Sequence, residues 1–310
     1  MKAIVTGATG FIGTALCEEL LKEGHDVIAI IRPVSAKRSK IMKLYQNNPQ
    51  YQSRLKIIEI TLNQLNILAE LEGVQADVFF HLAWNGSSGS DREDFELQYS
   101  NIRYIAEAIR VAKLCGCKTF IGAGSQAEYG VVHGPAAEGE VVPNPFMMYG
   151  AAKEAAYQMG RLVAKQVDIR FVWARIYSVY GVGENPGSLV NYVIQSLKAG
   201  KVPELTFCEN MWNYIYITDC TNALRRIAET EDIDGIIHIA SDETRPLKEY
   251  VEEIRNIVAP GMEIGYGKRI SDEERTFCLN PICQKMKKNK IFCKILFRDG
   301  IKLKIETESK

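Results

Sequence analysis

Short apolar runs alternate with longer stretches of helical spacing through the first 240 residues, and this alternation limits the fold more than any other feature. The runs are residues 3–5, 27–31, 55–60, 78–82, 119–121, 169–173 and 236–239. They are rich in Val, Ile and Phe and mostly uninterrupted, as strands buried on both faces are. Between them, Ile102, Ile105, Ala106, Ile109 and Ala112 recur at helical spacing, and residues 11–20 and 151–167 read the same way. Strand, helix, strand, repeated, predicts a parallel sheet with right-handed crossovers, a doubly wound α/β fold. The rhythm loosens after Gly181, although residues 189–197 still read as a short helix. Residues 1–178 with 213–240 are expected to form the larger domain. Residues 179–212 with 241–310 are expected to form a smaller C-terminal domain over the carboxyl ends of the strands.

Gly7-Ala8-Thr9-Gly10-Phe11-Ile12-Gly13 lies between the first run and the first helix. Glycines at such a junction allow a tight turn and close approach of the backbone to a pyrophosphate. The helix start adds free N–H groups and partial positive charge. In this setting the loop points to dinucleotide binding, with Gly7, Thr9, Gly10, Phe11, Ile12 and Gly13 as contacts.

Composition removes several alternatives. Lys+Arg and Asp+Glu are both 38, so the basic excess typical of a nucleic-acid binder is missing. The last 27 residues do carry nine Lys/Arg against three Asp/Glu. Their interleaved Ile291, Phe292, Ile295, Leu296, Phe297, Ile301 and Leu303 suit a solvated face over a core better than a nucleic-acid tail. No apolar run approaches the roughly 18 residues of a membrane helix, and Met1-Lys2 leads straight into the first run, so no signal peptide is expected. Eight scattered Cys and four unclustered His give no metal-ligand pattern, and free thiols suit a cytoplasmic protein.

Seven motifs in order resemble the extended branch of the short-chain dehydrogenase/reductase superfamily, the NAD-dependent epimerase/dehydratase family. They are the Gly7–Gly13 loop, His81-Leu82-Ala83-Trp84, Asn101, Gly124-Ser125 with Glu128-Tyr129-Gly130, Tyr149-Gly150-Ala151-Ala152-Lys153, the stretch 175–181, and the stretch 212–219. The resemblance implies a Rossmann domain, a sugar-nucleotide substrate and a Ser125/Tyr149/Lys153 catalytic set. It also implies cofactor contacts from Leu82, Ala83, Asn101, Tyr177 and Ser178, and a homodimer through the helices near 101–114 and 150–167. Tyr149 and Lys153 are four apart, on one face of a helix. An ammonium there favours the phenolate of a group whose ordinary pKa is near ~10, and can also hold ribose hydroxyls. Ser125 supplies a hydroxyl for the substrate oxygen. Asn85, Gln126, Ser178 and Asn213 are candidate substrate contacts.

Departures from the family pattern refine the reading. An NAD enzyme places Asp or Glu about 20 residues beyond the Gly loop, on the ribose 2′-hydroxyl. Ile31 stands there, followed by Arg32, Ser35, Lys37 and Arg38. NADP(H) is therefore expected over NAD(H), with Arg32 and Ser35 at the 2′-phosphate. Gln126-Ala127 replaces the Asp-Glu of the family's dehydratases, which removes dehydration. Trp212 replaces a phosphate-binding Arg, and Ser178 an Asn. The expected activity is NADPH-dependent reduction of a 4-keto-6-deoxy sugar nucleotide. A sugar-nucleotide 4-epimerase with bound NAD is the first alternative. A non-catalytic NADP(H)-binding sensor or scaffold is the second.

Overall fold

The computed structural model describes residues 1–270 and 278–309. Its main sheet has seven parallel strands: β1 (Lys2–Thr6), β2 (Asp26–Ile31), β3 (Leu55–Glu59), β4 (Val78–His81), β5 (Thr119–Ser125), β7 (Arg170–Ile176) and β10 (Gly235–Ile239). Their spatial order is β3-β2-β1-β4-β5-β7-β10. Each coincides with one of the apolar runs of the sequence. The order reverses between β1 and β4, and a crevice at such a reversal is where ligands sit on open α/β sheets.

Helices cover both faces. On one, α1 (Phe11–Lys22) and α6 (Ile217–Glu229) bury Leu16, Leu20, Leu224 and Ile227 against Ala3, Val5 and Val27. On the other, α3 (Phe95–Leu114) and α4 (Met148–Gln166) bury Ile105, Ile109, Ala156 and Val163 against Ile4, Phe79 and Phe120. Phe79, Phe120 and Phe171 stack across neighbouring strands with centroids 5.6–5.9 Å apart, and Trp173 stacks on Phe171 along β7 at 6.0 Å. A further helix, α2 (Arg38–Asn47), follows β2.

The smaller lobe is built on a three-stranded sheet of β8 (Ser178–Tyr180), β9 (Met211–Tyr216) and β11 (Thr244–Pro246), in the order β11-β9-β8. Helices α5 (Leu189–Lys198), α7 (Leu247–Val258) and α9 (Phe297–Glu308) pack on it around Tyr180, Tyr214, Tyr250 and Phe297. This redraws the expected division at two places. Residues 213–216 pair within the smaller sheet, and only α6 and β10 return to the larger one. Conversely, β12 (Pro281–Ile282) pairs with β6 (Ala136–Ala137), and α8 (Gln284–Lys288) follows it. Leu279, Cys283, Met286 and Ile291 then join the core of the larger domain. The basic tail is therefore anchored: Ile291, Phe297 and Ile301 are buried, whereas Phe292, Leu296 and Leu303 are exposed.

The helix α9 is tied to the loop after β8 by a fully buried Lys304. Its Nζ donates to the Gly181 carbonyl at 3.0 Å and pairs with Glu308 at 2.6 Å and Glu184 at 3.3 Å. Burial pushes the Glu184 carboxyl up to about 7, against the pull of Lys304. A carboxyl raised in the folded state holds a proton that the unfolded chain has already lost between its ordinary value and about 7. Stability then falls as pH rises through that window. Urea unfolding of Glu184→Gln should show a weaker loss of stability between the ordinary carboxyl range and neutral pH than the parent. Parallel pH profiles would count against a protonated Glu184.

Candidate active site

The Gly loop is shaped by contacts that exclude side chains. Gly7 has φ +72°, and a Cβ there would lie 2.7 Å from the Ala83 nitrogen. A Cβ on Gly13 would collide with the Gly7 carbonyl oxygen. Gly10 N donates to that same oxygen at 2.8 Å. Gly10 is also the N-cap of α1 and offers no side-chain cap, so the first N–H groups of the helix have no side-chain partner. A cradle of this kind fits a dinucleotide pyrophosphate. Across the switch point, Thr6 Oγ1 is 3.1 Å from His81 Nδ1 and accepts from Ala83 N at 3.3 Å. Burial drives the His81 imidazole down to about 3, so it stays neutral and ties β1 to β4.

Two connected hollows form the cleft, of about 450 and 410 Å³, and both are walled by Gly7, Gly10, Leu82, Trp84 and Ser87. The first is completed by Thr9, Ile31, Arg32, Lys37, Ala83, Asn85 and Asp91. The second is completed by Phe11, Ile12, Gly13, Arg92, Ser125, Gln126, Tyr149, Lys153 and Tyr177. One cleft thus carries a basic end near β2 and a Ser/Tyr/Lys end near β5 and α4.

At the second end, β5 stops at Ser125, whose hydroxyl accepts from Ala127 N at 3.2 Å and donates to Gln126 Oε1 at 3.1 Å. Tyr149 stands in the first turn of α4. Burial pushes its phenol up, while a hydrogen bond with Ser125 and the charge of Arg92 pull it back. Lys153, one turn on, donates to the Ala123 carbonyl at 2.6 Å and lies 3.6 Å over the Trp84 ring. Burial lowers its ammonium to about 7, opposed by Glu128. Among the described residues no cluster of His, Cys, Asp and Glu could hold a metal ion, and no helix is long and apolar enough to cross a membrane.

Four of the residues singled out from sequence lie outside the cleft walls. Ser35 is at the rim, its hydroxyl donating to Thr9 Oγ1 at 3.4 Å. Asn101 is buried on α3 and accepts from Asn85 N while donating to Asn85 O, both at 2.9 Å, so it shapes the loop after β4. Ser178 opens β8 and pairs with Tyr214. Asn213 is a correction. It is fully buried on β9, donates to Ser241 O, Glu243 O and Thr244 Oγ1, and accepts from Ser241 N. Its hydrogen-bonding capacity is spent on the turn leading into β11.

The family model described as the NAD dependent epimerase/dehydratase family matches residues 3–240. The chain belongs to this family. As a member it is an enzyme of the extended short-chain dehydrogenase/reductase type. An uncharacterized UDP-glucose epimerase, YtcB of Bacillus subtilis, is 26% identical over 283 residues, covering 88% of this chain and 87% of the relative. The dTDP-6-deoxy-L-talose 4-dehydrogenase (NAD(+)) of Aggregatibacter actinomycetemcomitans is 26% identical over 260 residues, covering 82% and 89%. The crystal structure of the UDP-glucuronic acid 4-epimerase of Bacillus cereus, in complex with NAD, superposes with a TM-score of 0.82 at 24% identity. It covers 99% of this chain and 98% of that one.

Within this epimerase/dehydratase frame, two groups escaped the sequence reading. Arg92 comes from the polar loop after β4, where no periodicity marks a functional side chain. Gln98 holds that loop: its Oε1 accepts from Trp84 Nε1 at 2.9 Å, and its Nε2 donates to Gly86 O at 2.6 Å and Asp91 O at 2.9 Å. Beneath the floor, buried Glu128 accepts from Ser125 N at 2.6 Å, Trp173 Nε1 at 3.0 Å and Arg175 Nε at 2.6 Å. Arg175 also pairs with Glu154 on α4. Both residues were visible as motif letters, but 47 residues separate them, and their pairing across β5 and β7 is a tertiary fact.

Proposed function

We propose that this enzyme reduces the C4 keto group of a 6-deoxy sugar nucleotide with NADPH. The observation that carries the reading is the basic end of the cleft, where Ile31, Arg32 and Lys37 stand at and beyond the end of β2. Arg32 and Lys37 are exposed there, whereas Arg38 is paired with Glu59. Cations and a missing acid favour a 2′-phosphate over a free ribose hydroxyl. A reductase spends its cofactor each turnover and gains from a pool kept reduced. An epimerase recycles a bound, oxidised one.

The chain's own residues would act as follows. Gly7, Gly10 and the N-terminus of α1 hold the pyrophosphate, and Lys153 anchors the adjoining ribose. When bound, the reduced nicotinamide supplies a hydride to the carbonyl carbon. Ser125 donates a hydrogen bond to the carbonyl oxygen and keeps it in line with Tyr149. Tyr149 then gives its phenolic proton to that oxygen as negative charge develops, which completes the alcohol. Gln126 and Ala127 offer no acid/base pair at the position where dehydration would need one. The oxidation–reduction at C4 named for the Aggregatibacter relative concerns the same class of sugar.

Absorbance of reduced nicotinamide, followed with NADPH and a panel of 4-keto-6-deoxy sugar nucleotides, should fall stoichiometrically with one of them. Interconversion of 4-hydroxy epimers without net NADPH consumption would replace this reading with the epimerase, and binding without any turnover would favour the sensor. One charge-assisted phosphate contact is worth about 1.5–3 kcal/mol, so Arg32→Ala should weaken NADPH binding about tenfold or more and barely alter NADH. Fluorescence titration reads both affinities. Equal binding of NADPH and NADH by the unmutated protein would sink the NADPH assignment.

A further inference from the structure

We infer that Arg92 is a positioning residue for Tyr149, a permanent cation laid on its ring that keeps the phenolate form within reach. The inference rests on the reading of Tyr149 as the acid/base group. The Arg92 guanidinium carbon lies 4.5 Å from the centroid of the Tyr149 ring. Its Nε is buried in the wall of the cleft and makes no hydrogen bond among the described residues. Of the acids beside it in sequence, Glu93 Oε2 accepts from Met148 N at 3.3 Å and Asp94 Oδ1 accepts from Leu97 N at 3.0 Å, while Asp91 lines the adjoining hollow of the cleft. The charge of Arg92 is therefore presented to the ring and the cleft.

The other groups facing Tyr149 do not secure the phenolate. Ser125 on β5 offers a neutral hydrogen bond, and Trp84 meets the ring edge-on at 6.0 Å. Glu128, on the turn after β5, disfavours a second negative charge. Lys153, one turn along α4, is 5.7 Å from the ring centroid, and its Nζ is committed to Ala123 O and the Trp84 face. Burial lowers its ammonium from the ordinary lysine value, opposed by Glu128, whereas a guanidinium holds its charge far more firmly. The segment bearing Arg92 is also fixed, because Gln98 clamps Gly86 O and Asp91 O from α3.

The test follows Tyr149 itself and needs no sugar substrate. The full chain is labelled with ¹³C-tyrosine, the Tyr149 signal is identified by its loss in Tyr149→Phe, and pH titrations are run with and without NADP⁺. Arg92→Gln should raise the Tyr149 midpoint by about one pH unit or more, the scale expected for losing a close charge from a partly desolvated site. Arg92→Lys, which returns a cation, should recover most of that shift, and circular dichroism should show all variants folded. A midpoint unchanged in Arg92→Gln overturns the inference. So does a parent Tyr149 that fails to ionise before the protein unfolds, with or without NADP⁺. If no ketone consumes NADPH while the shift persists, the reductase reading fails and the coupling of Arg92 to Tyr149 stands.

Discussion

Tyr149→Phe should lower turnover about a hundredfold or more while cofactor binding survives, because positioned general acids contribute factors of that order. The substitution removes one oxygen and leaves the ring, so the edge contact with Trp84 and the cover of Arg92 persist. Ser125 and Lys153 can still orient the substrate oxygen and the ribose. They cannot supply the proton in line with it, and a hundredfold loss corresponds to about 2.7 kcal/mol of transition-state stabilisation. Turnover is read from NADPH consumption and cofactor affinity from fluorescence. Lys153→Ala should damage both, since it removes the ribose anchor as well as a charge beneath the phenol. Near-normal rates in Tyr149→Phe would assign the proton to another group.

Much of the architecture was legible because the main sheet is buried on both faces. Its strands are local, nearly continuous apolar runs such as Val27–Ile31 and Val78–His81, and the helices between them repeat at their own period. The smaller sheet was not legible. Strands β8 and β11 are three residues each, too short for any periodicity, and they exist only by pairing with β9. The same locality limited the site. The Gly loop and the Tyr149/Lys153 helix face announce themselves within seven residues, and the structure gathers both into one cleft. Asn213 suggests a substrate contact by its place in a motif, but its amide is consumed by the 241–244 turn. Arg92 sits in a short polar helical turn whose letters read as solvated loop, and only the fold brings it over Tyr149.

The largest loss of stability is expected from Arg175→Met. Arg175 and Glu128 are 1% and 0% exposed, joined at 2.6 Å, and Arg175 also lies 4.2 Å over the Tyr129 ring. Removing one member of a buried pair strands the other charge, and such changes cost about 3–5 kcal/mol. Glu128 would keep its bonds from Ser125 N and Trp173 Nε1, but those neutral donors do not cancel a buried carboxylate. The double variant Glu128→Gln/Arg175→Met removes both charges and should recover a large part of the loss, which separates stranded charge from lost packing. Urea unfolding of the parent, Arg175→Met, Glu128→Gln and the double variant gives the cycle directly. The pair also bears on the chemistry, because Arg175 joins Glu128, which holds the Ser125 backbone, to Glu154, one turn beyond Tyr149 on α4. Its loss should let Ser125 drift from Tyr149, so turnover in the single variant should fall even at temperatures where it stays folded. A folded Arg175→Met with both stability and turnover close to the parent would show that the buried pair neither supports the core nor sets the distance between the two hydroxyls.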